Sequence, residues 1–126
     1  MTDKELFQAA VEAASNSYSK YSSFRVGAAL LCDDGRVFTG CNIENASYSL
    51  TNCAERTAVF KAVSDGCNSF TAIAVAGSAD GDYSAPCIPC GACLQVLSEF
   101  CGDGFSIILA DGSYTLYDFL PRRFTL

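Results

Sequence analysis

Three cysteines in this sequence are spaced as ligands of one metal ion. Cys53 precedes the helical pattern AERTAVFKAV, and Cys90 and Cys93 form a Cys-x-x-Cys pair at the start of another helical pattern. Such a pair at a helix N-terminus presents two thiolates to one ion, and the helix dipole favours their negative charge. Three thiolates leave the fourth position of a tetrahedral zinc site open to water, as catalytic zinc requires. The spacing therefore predicts a catalytic zinc centre.

Glu55 is the residue that would make this centre catalytic. It follows Cys53 by two positions, and a carboxylate near a metal, but not bound to it, can take a proton from water and pass it on. In isolation, Glu55 would be an ordinary first-turn glutamate stabilised by the helix dipole. Its position between Cys53 and Arg56, together with the Cys-x-x-Cys pair, favours the role in proton transfer.

The composition narrows the chemistry further. The 126 residues include eight cysteines and no histidine, which excludes a histidine general base, a Ser-His triad and any zinc site with imidazole ligands. The net charge of −6 argues against nucleic acid as a ligand, because proteins that bind phosphate backbones carry basic patches. Charged residues make up only 17% of the chain, against about 25% in an average soluble domain. We therefore expect another subunit to cover part of the surface.

No segment has the pattern of a signal peptide or of a membrane span. The N-terminal segment MTDKELFQAA is charged, and the longest near-apolar run, Val26 to Cys32, is too short to cross a bilayer. A chain of this length can bury a core without disulfides, and cytoplasmic proteins keep their thiols reduced. The sequence thus predicts a cytoplasmic protein whose cysteines are free thiols or metal ligands.

Five cysteines lie outside the predicted zinc site. Four are interpreted as small buried residues with free thiols: Cys32, Cys41, Cys67 and Cys101. Cys87 stands three positions before Cys90, so a dithiol redox pair is an alternative for these two residues. Pairing of Cys90 with Cys93 is favoured because the helical periodicity begins at Ala92, and because redox sites of this type lack a Cys-x-Glu on a separate helix.

The elements that must position these residues are helices and strands in alternation. Thr2 and Glu5 have capping-box spacing ahead of an amphipathic helix, and the Asp-Gly turn at 34–35 joins two extended segments into a hairpin. The apolar runs TAIAVAG and FSIILA predict buried strands, each preceded by one of the helices that carry the cysteines. A short segment follows the second run. The order predicts one domain, residues 1–126, with helices packed against a mixed sheet.

The segments NIENASY, CAER and PCGAC followed by LQVLSE resemble the cytidine deaminases, specifically the small homotetrameric nucleoside deaminases. The likeness runs from YSSFRVGAAL near residue 21 to LPRRF near residue 120. It implies a three-layer α/β/α sandwich with a mixed, mostly five-stranded central sheet. It also implies hydrolysis of cytidine and deoxycytidine to uridine and deoxyuridine with release of ammonia. A cytoplasmic homotetramer, one zinc ion (Zn2+) per subunit and a place in pyrimidine salvage are further implications.

The same resemblance assigns roles to individual residues. It makes three cysteines the zinc ligands: Cys53, Cys90 and Cys93. Glu55 would move a proton from water to N3 of the pyrimidine, so that C4 becomes electrophilic. The residues implied for substrate binding within the chain are Phe24 beside the base, Asn42 and Glu44 at the ribose, and Ala54. Three more match residues that subunits share across their interfaces: Ala46, Tyr48 and Phe124. The pocket is then complete only in the oligomer.

Ordinary structural roles remain as alternatives for several of these residues. Asn42 and Glu44 could shape a turn, and Phe24 and Phe124 could pack in a core. Arg56 could be a plain surface residue of its helix.

The charge of the zinc site raises a separate question. Three thiolates on a divalent ion leave a charge of −1, which opposes hydroxide formation unless positive potential lies nearby. Arg56 matches a family arginine that donates a hydrogen bond to a ligand sulfur. Leu94 stands where the family usually has a second arginine, so we expect Leu94→Arg to be tolerated, with activity unchanged or higher.

Two other functions remain open. The nearest alternative is a deaminase of a modified cytosine nucleoside such as blasticidin S, although the intact NIENASY segment favours a substrate with a plain ribose. A structural zinc module that binds a protein is the alternative from a different class. Such a module would present four ligands and no neighbouring glutamate.

Overall fold

The computed structural model describes all 126 residues, and its centre is a mixed five-stranded sheet with helices on both faces. Helices α1 to α4 span Asp3–Ala14, Ala54–Ser64, Gly91–Phe100 and Leu116–Phe119. Strands β1 to β5 span Arg25–Cys32, Val37–Cys41, Phe70–Ser78, Ser106–Leu109 and Gly112–Thr115. A short 3₁₀ helix, Tyr48–Leu50, lies between β2 and α2. None of the helices has the length and apolar character needed to cross a membrane.

The sheet has the strand order β2-β1-β3-β4-β5. Strands β1 and β2 form the predicted antiparallel hairpin, and β1 also pairs antiparallel with β3. Strands β3 and β4 run parallel, with α3 in the connection between them, and β5 returns antiparallel beside β4. The sequence pattern predicted only a short C-terminal segment in the region that forms β5 and α4. The α/β class with a mixed five-stranded sheet is confirmed.

The strands alternate their buried side chains between two cores, one on each face of the sheet. In β3, Ile73 and Val75 belong to the larger core, which α2 and α3 cover. The intervening Ala74 belongs to the smaller core, to which α1 contributes Leu6 and Ala10. This period of two is the pattern of a strand that is buried on both faces. The result is the three-layer α/β/α arrangement.

Local sequence signals set the ends of the helices that matter for the site. The capping box of α1 forms as predicted, with Thr2 accepting from the Glu5 amide and Glu5 accepting from the Thr2 amide. Cys53 is the N-cap residue of α2 and Cys90 is the N-cap residue of α3. Close packing then fixes α2 on the sheet, because a Cβ at Gly40 of β2 would lie only 2.5 Å from the Ala54 carbonyl oxygen.

The prediction of free thiols is wrong for two cysteines. Cys32 and Cys67 form a disulfide that links residues 35 positions apart, with their Cα atoms 6.7 Å apart. Cys32 ends β1 and Cys67 follows α2, so the packing of α2 on the sheet brings them together. Cys41 and Cys101 are free thiols, as expected, but only Cys101 is buried.

Candidate active site

The thiols of Cys53, Cys90 and Cys93 lie together in the folded chain. The Sγ atoms of Cys53 and Cys90 are 3.8 Å apart, and those of Cys90 and Cys93 are 3.6 Å apart. A tetrahedral zinc ion with Zn–S bonds of about 2.3 Å requires sulfur atoms roughly 3.8 Å apart. The three thiols therefore fit the coordination sphere of zinc, and no fourth cysteine, histidine or carboxylate belongs to the cluster.

Two helix N-termini converge on these thiols. Cys53 and Cys90 have extended backbone at the N-caps of α2 and α3, and Cys93 lies in the first turn of α3. Both helices thus direct unpaired N–H groups and the positive ends of their dipoles toward the sulfur atoms. A hydrogen bond with the Cys93 thiol and another from Arg56 lower the pKa of Cys53 to about 5. The same pairing with Cys53 raises the pKa of Cys93.

Arg56 is tied directly to the cluster. Its Nη2 donates a hydrogen bond to Cys53 Sγ at 3.2 Å, so it is not a plain surface residue of α2. Its Nε is buried and has no hydrogen-bond partner. Leu94 is only 6% exposed and belongs to the larger core. This burial argues against the expected tolerance of Leu94→Arg, because a guanidinium there would lose its hydration.

Glu55 lies in the first turn of α2 with its side chain turned inward. It is 4% exposed and lines the same cavity as Cys53 and Cys90. Burial raises the pKa of Glu55 to about 7, and the neighbouring charge of Cys53 acts in the same direction. Glu55 is not among the donors that lie within 4.8 Å of one another in the cysteine cluster. The carboxylate is therefore beside the donor set and not part of it.

The cavity that contains these groups has a volume of about 360 Å³. Cys53, Cys90 and Glu55 form one part of its wall, and Asn42 and Glu44 contribute polar groups to another. The complete set of lining residues is Ser22, Phe24, Val26, Asn42, Glu44, Tyr48, Thr51, Cys53, Ala54, Glu55, Cys87, Ile88 and Cys90. None of them is lysine or arginine.

The side chain of Asn42, just beyond β2, makes three hydrogen bonds. Its Oδ1 accepts from the hydroxyl of Ser17 and from the amide of Val26, the latter at 3.0 Å. Its Nδ2 donates to the carbonyl oxygen of Phe24 at 2.8 Å. An amide NH₂ group has two N–H donors and its oxygen has two lone pairs. Asn42 is buried and retains one free donor, with its acceptor capacity used.

Glu44 is the second buried polar group of the cavity wall. Its Oε1 accepts from the amides of Tyr21 and Ser22 at 3.0 and 3.1 Å. Its Oε2 accepts from the hydroxyl of Ser22 and, at 3.5 Å, from that of Tyr48. These hydrogen bonds, above all that from the Ser22 side chain, lower the pKa of Glu44. The group is an oriented carboxylate that no cation pairs with in the chain.

The structure brings most, but not all, of the predicted site residues to one cavity. Four of them do not line it. Cys93 and Arg56 belong to the cysteine cluster or bind it, Ala46 is exposed, and Phe124 lies elsewhere, 67% exposed, with its carbonyl oxygen bound to Gln95. Five lining residues were not predicted as site residues: Ser22, Val26, Thr51, Cys87 and Ile88. Ser22 and Val26 stand in the YSSFRVGAAL segment, which is a usable signal, whereas the sequence suggests for Cys87 only the redox pair with Cys90.

Comparisons with known proteins agree with this geometry. Residues 1–108 match the family model for the cytidine and deoxycytidylate deaminase zinc-binding region. Cytidine deaminase from Sporosarcina psychrophila is 50% identical over 88% of this chain and 79% of its own length. Cytidine deaminase from Halalkalibacterium halodurans is 46% identical over 99% of this chain and 96% of its own length.

A solved structure and a relative of lower sequence identity also match this chain. The crystal structure of cytidine deaminase from Mycobacterium tuberculosis matches with a TM-score of 0.90 and 42% identity, covering 100% of this chain and 99% of that one. Blasticidin-S deaminase from Bacillus cereus is 32% identical over 98% of this chain and 92% of its own length. The zinc-compatible cysteine cluster, the buried glutamate beside it and these matches show that the chain belongs to the cytidine and deoxycytidylate deaminase family.

Proposed function

We propose that this protein catalyses zinc-dependent hydrolytic deamination of cytidine and deoxycytidine to uridine and deoxyuridine, with release of ammonia. The observation that carries the proposal is the buried carboxylate of Glu55 beside three thiols that fit one zinc ion, with Glu55 and two of the thiols, Cys53 and Cys90, in the wall of a single cavity. This is the arrangement of a zinc deaminase, in which a glutamate that is not a ligand serves as general acid and base.

Cys53, Cys90 and Cys93 would hold one zinc ion per chain. Zinc in an open three-ligand site supplies Lewis acidity that lowers the pKa of water to near neutrality. Arg56 donates to Cys53 Sγ at 3.2 Å, and the two helix N-termini add positive potential. These groups offset the excess negative charge of three thiolates, the role for which a second arginine was expected at position 94.

Glu55 would carry the protons. Its carboxylate can accept a proton from the attacking water and deliver it to N3 of the pyrimidine, which makes C4 electrophilic. Glu55 then takes the proton of the hydroxyl that has added to C4 and passes it to the exocyclic nitrogen, so that the C4–N bond breaks, ammonia leaves and the carbonyl of the uracil base forms. The pocket wall contains one other carboxylate, that of Glu44, and that group is already bound by Ser22 and Tyr48. Glu55 is therefore the one group suited to both transfers.

Asn42 and Glu44 would bind the sugar. Asn42 has one free N–H donor, whereas Glu44 offers only acceptors. A single sugar hydroxyl can accept from the first and donate to the second, replacing the long 3.5 Å contact from Tyr48. Because the lining residues include two carboxylates and no lysine or arginine, a 5′-phosphate would meet negative charge without a partner. The site thus favours nucleosides over nucleotides.

Several broader features belong to the same proposal. We propose that the whole chain is one deaminase domain, because all five strands form one sheet. We also propose a homotetramer in which neighbouring subunits contribute to each pocket, since Phe124 and Tyr48 are 67% and 57% exposed in the single chain. A role in pyrimidine salvage follows from the substrate class, and we propose the cytoplasmic location on that ground alone, since the Cys32–Cys67 disulfide departs from the reduced thiols expected there.

The test is turnover of cytidine by purified protein of measured zinc content. We expect loss of absorbance and release of ammonia, and we expect Glu55→Gln to lower kcat by about a thousandfold or more with zinc content unchanged. Glu12→Gln, an exposed substitution on α1, is the matched control and should leave both unchanged. Undiminished turnover by Glu55→Gln would exclude the role of Glu55.

The same assay addresses the alternatives. Faster turnover of blasticidin S than of cytidine would favour the modified-nucleoside deaminase, which the 32% identical relative represents. Light scattering, measured on the same samples as the activity, tests the oligomeric state. A fully active monomer of 13.3 kDa would contradict pockets shared between subunits.

A further inference from the structure

The conformation of Glu44 depends on a residue that has no part in the proposed chemistry. Ser22 donates to Glu44 twice, once from its amide at 3.1 Å to Oε1 and once from its hydroxyl to Oε2. Tyr21 adds one amide donor, and Tyr48 adds a long contact. Ser22 is thus the one residue that holds both carboxylate oxygens, so it determines the rotation of the carboxylate plane.

The Ser22 hydroxyl also joins Glu44 to the backbone that carries Phe24. The same oxygen that donates to Glu44 accepts from the Phe24 amide at 3.0 Å. Between them, Ser23 has a φ of 57°, the only non-glycine residue of the chain with positive φ. A side chain in this left-handed region costs energy, so local hydrogen bonds must hold the turn. The hydroxyl spans this turn and connects the proposed sugar-binding group to the proposed base-binding aromatic.

We propose that Ser22 is a positioning residue that sets the affinity for the sugar hydroxyl through Glu44. This inference rests on the proposed function, since it needs a nucleoside in the cavity. Without the hydroxyl, Glu44 keeps its two amide donors on Oε1, but Oε2 loses its short-range partner and gains rotational freedom. A carboxylate that is not oriented before binding must lose that freedom when substrate binds, and the affinity falls. Ser22 bonds only to Glu44 and Phe24 and makes no hydrogen bond to the cysteine cluster or to Glu55, so we expect the chemical step to be unaffected.

Steady-state kinetics of Ser22→Ala with cytidine test the proposal. A hydrogen bond to a charged group is worth about a tenfold or greater change in affinity, and Ser22 is partly open to solvent, so we expect KM to rise about tenfold with kcat within about twofold. The inhibition constant of 2′,3′-dideoxycytidine, which lacks the sugar-ring hydroxyls, should change by less than about threefold. Ser22→Thr keeps the hydroxyl and should restore KM. Ser19→Ala, whose hydroxyl makes no hydrogen bond, should match the parent protein.

A double-mutant cycle separates positioning from a general structural effect. If Ser22 acts through Glu44, adding Ser22→Ala to Glu44→Gln should raise KM little further. Unchanged KM in Ser22→Ala, an equal loss for cytidine and the dideoxy analogue, or additive effects in the cycle would overturn the inference while parent turnover stands. Parent protein that does not deaminate cytidine would overturn the proposed function, and this inference with it. Should Ser22→Ala fail to fold, failure of Ser22→Thr to retain the parent KM would overturn the proposal.

Discussion

Replacement of Gly40 by alanine tests how closely α2 must pack on the sheet to form the active site. A Cβ at this buried position would lie 2.5 Å from the carbonyl oxygen of Ala54 and 2.5 Å from the amide nitrogen of Ala58. Ordinary van der Waals contact begins at 3.4 Å, so β2 and α2 must separate by about 0.9 Å. Both neighbouring atoms belong to the helix backbone, so no change of side-chain rotamer can relieve the contact.

Either way of making room disturbs the site. Movement of α2 displaces Cys53 and Glu55, which flank Ala54, whereas movement of β2 displaces Asn42, which directly follows that strand. Overpacking of this kind costs about 1–3 kcal/mol, which lowers Tm by roughly 4–12 °C in a chain of this size. A displacement of about 1 Å in catalytic groups costs on the order of 100-fold in turnover.

The assay compares Gly40→Ala with Gly66→Ala in thermal unfolding, zinc affinity and cytidine turnover. Gly66 follows the other end of α2 with a φ of +90° and no atom within 4 Å of an added Cβ. Alanine there costs about 1 kcal/mol through backbone strain and leaves the site in place. Loss of zinc affinity in Gly40→Ala would indicate movement of α2, and a raised KM with zinc retained would indicate movement of β2. Turnover and zinc affinity equal to those of Gly66→Ala would refute this reasoning.

Two other predictions concern the disulfide and the wall of the cavity. Cys67→Ala opens a loop of 35 residues, so we expect about 4 kcal/mol of lost stability and a Tm lower by roughly 16 °C, against about 1 kcal/mol for Cys101→Ala. Unfolded, zinc-free protein without reductant should show six titratable thiols, and a count of eight would contradict the Cys32 bridge. Gly77→Ala would place a Cβ 2.7 Å from Cys87 Sγ in the cavity wall. It should raise KM without loss of zinc, and adding Cys87→Ala should partly reverse the rise.

Much of the candidate site could be predicted because its three candidate metal ligands stand at local signals in the chain. Cys53 and Cys90 occupy N-cap positions, and Cys93 follows Cys90 by three residues on the same helix. These spacings need no tertiary information, since a helix places residues three apart on one face. The capping box at Thr2 and the hairpin turn at Gly35 were predictable for the same reason.

Other features could not be predicted, because they depend on how distant elements pack. Strand β5 has only four residues, of which Tyr114 and Thr115 are half-buried, so its sequence lacks a strong strand pattern. The bridge between Cys32 and Cys67 joins the end of β1 to the loop after α2, and no local signal distinguishes a buried thiol from a paired one. The role of the Ser22 hydroxyl could not be predicted either, since it depends on a hydrogen bond to Glu44, 22 positions away in the sequence.

The sequence by itself determined the chemistry that this chain can perform. With eight cysteines and no histidine, it provides candidate zinc ligands of one type, helix N-termini that carry them, and a glutamate within one turn of the first. Residue type and spacing suffice for these features because they act within single helices. Only the tertiary structure decided that the N-termini of α2 and α3 meet, with Cys53 Sγ 3.8 Å from Cys90 Sγ, and that Asn42 and Glu44 face the same cavity. That meeting follows from the contact of α2 with the sheet at Gly40, where the absence of a side chain lets two backbones approach.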